Sequence, residues 1–147
     1  LDIGQAMSPP LIRAVKAASP QADLTIVDCP PGTSCPVIEA LRGADYVLLV
    51  TEPTPFGLND LKLAVETVRK LKIPFGVLIN RADVGDERTK QYCQLERIEV
   101  LADIPDDRQV AEAYSRGEMI CAAITKYQGL YGDLLSKIET RISAHGG

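Results

Sequence analysis

The 147 residues read as a three-layer α/β sandwich built on a mostly parallel sheet. Short apolar runs alternate with longer segments at helical period. Leu24-Thr25-Ile26-Val27, Tyr46-Val47-Leu48-Leu49-Val50 and Phe75-Gly76-Val77-Leu78-Ile79 are almost continuously apolar, as strands covered on both faces are. Each run halts at a polar residue: Asp28, Thr51 or Asn80. The composition permits a packed core, with 46% hydrophobic and 24% charged residues and a net charge of −4. Such a chain is not disordered. It lacks the basic footprint of a nucleic-acid binder, and no apolar run approaches the roughly 20 residues of a membrane helix.

Taken in order, Pro10–Ala18 forms the first helix, with Leu11, Ile12 and Val15 on one side. Leu24–Val27 is the first strand. Pro36–Leu41 is a helix with proline in its first turn and Gly43 beyond its end. Tyr46–Val50 is the second strand. Leu58–Leu71 places Leu61, Ala64, Val65, Val68 and Leu71 on one stripe and ends before Pro74. Phe75–Ile79 is the third strand and Ile98–Leu101 a shorter fourth, with a weaker helix over Asp86–Leu95 between them. Asp106–Arg116 opens on acidic residues and stops at Gly117. Tyr127–Ile142 is the closing amphipathic helix. Met7 and Met119 are expected in packing, and His145 in a solvated tail.

The four cysteines, Cys29, Cys35, Cys93 and Cys121, make no C-x-x-C pair, so zinc and iron–sulfur spacings are absent. Their low density does not suit a disulfide scaffold, and a reducing cytoplasm is the expected location. Cys29 and Cys35 flank one turn, where a redox or metal role and plain apolar packing all remain open.

In open parallel sheets ligands bind beyond the carboxyl ends of the strands. Four stretches fall there. Asp28-Cys29-Pro30-Pro31-Gly32-Thr33 joins an acid that can hold Mg²⁺ through water to a stiff turn. Its glycine lets backbone approach a phosphate, and the helix that follows favours an anion. A plain strand-to-helix turn would use the same residues. Asn80-Arg81-Ala82-Asp83 offers an amide for an adenine edge, a guanidinium to lie on a base and a carboxylate for guanine N–H groups. Asn and Asp are also ordinary turn residues. Asp103-Ile104-Pro105-Asp106-Asp107 can wall a base pocket and also cap a helix. Glu52-Pro53-Thr54-Pro55-Phe56-Gly57 suits a hinge, a partner contact or a simple connection.

With these motifs the chain resembles the MinD/ParA class of deviant P-loop ATPases, which includes the nitrogenase iron protein and Mrp-type iron–sulfur carriers. It looks most like MinD-superfamily ATPases with an inserted ferredoxin domain. The segments that carry the likeness are Ile3–Ser8, Asp23–Ile38, Tyr46–Asp60, Ile73–Asp86 and Ile104–Gly117. The pair Cys-Pro-Pro-Gly-Thr-Ser-Cys-Pro and Thr-Glu-Pro-Thr-Pro-Phe-Gly-Leu is the specific part. The resemblance implies a partial P-loop NTPase fold and assigns roles. Asp28 matches the Walker B aspartate that holds Mg²⁺ through water, Gly32 the switch glycine, and Thr33 lies in that switch. Asn80 and Arg81 match the adenine-contacting pair, and Pro105 and Asp106 the loop bordering the base. Thr54–Asp60 matches a region that responds to nucleotide or dimerisation.

A G-x-x-x-x-G-K-[S/T] loop is absent from these residues, as are cysteine-rich cluster motifs. The expectation is therefore the C-terminal portion of such a protein, with the Walker A strand and ferredoxin insert outside residues 1–147. The parent would bind ATP and Mg²⁺, carry 4Fe-4S clusters in the insert, dimerise and couple hydrolysis to iron–sulfur or partner chemistry. The 147 residues alone would not hydrolyse ATP. Loss of an inner strand would close the gap or drive a strand-paired oligomer. Two other readings stay open: half of a GTPase, and a non-catalytic α/β interaction or regulatory module.

Overall fold

Three strands pair side by side in chain order among the described residues, all parallel. The computed structural model describes residues 8–20 and 22–145. The strands are β1 (Val47–Thr51), β2 (Phe75–Asn80) and β3 (Val100–Ile104). Around them run α1 (Ser8–Ala18), α2 (Cys35–Leu41), α3 (Pro55–Leu71), α4 (Arg88–Leu95), α5 (Arg108–Ser115), α6 (Ile120–Ala123) and α7 (Thr125–His145).

Alternation along β2 builds two cores. Val77 and Ile79 meet Leu61 and Val65 of α3, Cys93 of α4 and Ile98. Leu78 points the other way and joins Leu101, Ile104 and, from α7, Tyr127 and Leu134. Helices therefore cover both faces, and the expected three-layer α/β architecture stands. A bulge sets the β2–β3 register: Val77 pairs with Val100 but Leu78 with Ala102, leaving Leu101 over. The three strands finish at Thr51, Asn80 and Ile104, so their following loops share one edge of the sheet.

Helix ends follow local chemistry. Thr54 caps α3 by accepting from Gly57 N at 3.0 Å, with proline in the first turn. Lys72 ends it in the left-handed region, φ 57°. Asp107 caps α5 by accepting from Gln109 N at 2.9 Å. The helix therefore begins at Arg108 rather than at Asp106.

Four sequence expectations need correction. Leu24–Val27 is not a strand. It lies unpaired, with Leu24, Ile26 and Val27 exposed. A strand needs a neighbour for its amides and carbonyls, and no described segment flanks it. Neither does it close onto β1, whose outer edge no described strand pairs. The fourth strand lies at Val100–Ile104 rather than Ile98–Leu101, because Ile98 N still donates to Cys93 O at 2.8 Å in the turn closing α4. Met119 is 76% exposed and packs little, since it precedes the short α6 on the surface. His145 is exposed as expected, but it ends α7 instead of lying in a tail, with Nδ1 2.8 Å from Arg141 O. Met7 and the stretch 3–7 lie outside the described residues.

Candidate functional site at the carboxyl ends of the strands

Loops after β1, β2 and β3 meet in one seam. Ala82 N donates to Ile104 O at 2.9 Å, joining the loops after β2 and β3. Asp86 N donates to Pro53 O at 3.3 Å, joining the loops after β1 and β2. A side chain at Gly85 would collide with the Pro53 carbonyl, so only glycine permits this approach.

Arg81 spans all three loops. Its Nε donates to Asp106 Oδ1 at 3.1 Å, and its Nη1 lies 3.7 Å from Glu52 Oε2. The backbone of Arg81 has φ 51°. Left-handed geometry costs an ordinary residue about 1–2 kcal/mol, and strain of this kind gathers at functional sites. Asp83 Oδ1 accepts from Asp106 N at 2.6 Å. Asn80 stands half-buried at the end of β2, opposite Ile104, and Pro105 follows Ile104 directly.

The structure brings Asn80, Arg81, Pro105 and Asp106 to one end of the sheet. Two members of the seam were missed as partners. The sequence leaves Glu52 in a hinge, a partner contact or a simple connection, and Asp83 as a base reader or a turn residue, with neither tied to a partner across the seam. Both contacts join loops more than twenty residues apart, and no local pattern signals them.

The other half is less assembled. Asp28, Gly32 and Thr33 are exposed in irregular chain between α1 and α2. Gly32 has φ 96° and open space where a side chain would stand, so backbone there is accessible to a ligand. Cys29 Sγ lies 3.7 Å from Val27 O, and burial, then the nearby Asp28 charge, pushes its thiol above the usual range. A thiol so raised is a poor nucleophile. Among the described residues no group of three or more His, Cys, Asp or Glu side chains is placed to hold a metal. Asp28 stands there as a single exposed carboxylate.

A parallel sheet covered by helices, with polar loops at its carboxyl edge, is consistent with an α/β P-loop NTPase-like fold. Comparison with known proteins agrees. The septum site-determining protein MinD of Pyrococcus horikoshii, solved in complex with Mg-ADP, superposes with a TM-score of 0.62 at 21% identity, over 87% of this chain and 53% of that one. An uncharacterized protein of Methanocaldococcus jannaschii is 36% identical over 121 residues, 82% of this chain and 39% of its own length. The iron-sulfur cluster carrier protein of Aquifex aeolicus is 29% identical over 113 residues, 67% of this chain and 31% of its own. No protein-family model matches. The chain is related to the MinD/ParA-type P-loop ATPase superfamily. It spans about a third to a half of the length of these relatives.

Proposed function

We propose that these residues form the base-binding and magnesium-facing portion of an ATP site in a MinD-like ATPase. The observation that carries this reading is the seam that ties Arg81 and Asp83 to Asp106 beside Asn80 at the carboxyl ends of β2 and β3, where ligands bind in open parallel sheets. The Asn80 amide supplies a donor and an acceptor for adenine. Arg81 is held over the same edge by two carboxylates, and Pro105 and Asp106 wall it.

Asp28 would hold Mg²⁺ through water, and Gly32 and Thr33 would present backbone to the terminal phosphate. Magnesium bound there supplies charge neutralisation at the phosphates. On this reading residues 1–147 are the C-terminal portion of the nucleotide-binding domain, with the Walker A strand and a ferredoxin insert elsewhere in the polypeptide. The whole protein is a cytoplasmic Mg-ATPase that works as a dimer and couples hydrolysis to iron–sulfur or partner-protein chemistry.

The test uses the full-length polypeptide. Mg-ATP should bind, Arg81→Ala should weaken it by about tenfold, and Asp28→Asn should slow hydrolysis about ten- to a hundredfold. Unchanged hydrolysis in the Asp28 variant removes that residue from the metal role. Unchanged affinity in the Arg81 variant removes the seam from the base site.

A further inference from the structure

We propose that Asp83 is a positioning residue that sets purine choice, by committing its carboxylate to the Asp106 backbone instead of to a base. The inference rests on the reading of the seam as a base site.

An aspartate that reads guanine must accept two parallel N–H bonds, from N1 and the 2-amino group, and so needs both oxygens facing the base. Asp83 is at the spacing from Asn80 that such a reader would take. Its Oδ1 is nevertheless 2.6 Å from Asp106 N, a short, charge-assisted bond across the seam. Turning toward a base would strand that amide.

The neighbouring contacts reinforce the commitment. Asp106 is held at its backbone by Asp83 and at its carboxylate by Arg81 Nε, 3.1 Å away. Ala82 N, next to Asp83, donates to Ile104 O at 2.9 Å. Moving Asp83 would therefore loosen a loop that three contacts fix. At this rim stand Asn80, Arg81 and loop backbone, and the Glu52 and Asp106 carboxylates there face Arg81. Adenine makes no demand for a free carboxylate, since its edge carries an acceptor N1 and a donor N6.

Binding of Mg-ADP and Mg-GDP to the full-length protein, by calorimetry, tests this with Asp83→Ala and Asp83→Asn. Both substitutions fall in an exposed loop. The asparagine keeps one acceptor oxygen for Asp106 N. Wild type should prefer Mg-ADP. Asp83→Ala should weaken Mg-ADP by about tenfold and leave Mg-GDP unchanged, while Asp83→Asn stays near wild type. Hydrogen exchange at the Asp106 amide should quicken in the alanine variant and not in the asparagine one. A selective loss of Mg-GDP in both variants overturns the proposal, as does unaltered Asp106 exchange in Asp83→Ala. Failure of wild type to bind either nucleotide overturns the base site and the purine choice with it, while exchange at Asp106 still reports whether the contact exists.

Discussion

Tyr127 shows how one side chain ties a helix to a loop. It is 1% exposed, and its hydroxyl donates to Asp107 Oδ2 at 3.0 Å. Lys126 Nζ reaches the same oxygen at 2.6 Å. The Lys126 bond, then the Gln109 amide, holds the Asp107 carboxyl below the usual carboxylate range. This contribution to stability is present above that range and is lost as pH falls through the folded value. Tyr127 moves the opposite way. Burial, then the Asp107 bond, pushes its phenol from 10.0 up to about 12. The folded state therefore keeps a proton that the unfolded chain releases, and stability falls as pH climbs between those values. Tyr127→Phe should cost about 1 kcal/mol at neutral pH through the lost hydrogen bond. Urea unfolding from pH 10.0 to about 12 should show a shallower loss in the variant than in wild type. Parallel curves would show that Tyr127 does not govern the alkaline limb.

Loops after β1 and β2 approach as closely as backbone allows, and a pair of glycine substitutions measures that. Gly85→Ala puts a methyl group into the Pro53 carbonyl, a clash with backbone that no rotamer relieves. It should destabilise the protein by about 1–3 kcal/mol. Gly129, inside α7, has open space around it. Gly129→Ala should stabilise by about 0.5–1 kcal/mol. Thermal unfolding of both variants checks the contrast, and equal shifts would contradict the close approach. Elements with local causes were legible in the sequence. The stripe over Leu58–Leu71 gave α3, though its start at Pro55 needed the Thr54 cap. The stops at Thr51 and Asn80 gave the ends of β1 and β2. What local patterns could not give was pairing. Leu24–Val27 has strand composition and no strand, because a ladder needs a neighbouring strand and no described segment supplies one. The Glu52–Arg81–Asp106 clamp escaped for the same reason, since its partners are distant in sequence. The four-residue α6 is too short to carry a periodic signal.

The sheet as a whole has an unbalanced edge. β2 pairs on both sides, whereas β1 offers its outer amides and carbonyls to no described strand. Natural edges are blunted by charge, proline or bulges. β1 reads Val-Leu-Leu-Val-Thr and has none of these among its five residues, and Val50 is 62% exposed. Leu24, Ile26 and Val27 add further exposed apolar surface in the chain preceding α2. An inner strand of a parallel sheet has this composition, an edge strand does not. The 147 residues expressed alone should therefore self-associate through β1. Light scattering at about 50 μM should give a mass above one chain, a concentration at which pairs of micromolar affinity are largely formed. Val50→Lys adds charge at an exposed position and should return the chain to its monomer mass without unfolding it. In a longer polypeptide that supplies its own strand to this edge, the same lysine would instead lower stability, because Val50 would then be covered. A wild-type monomer at that concentration would mean that the β1 edge is blunted by something other than its sequence. A dimer that survives Val50→Lys would place the contact elsewhere.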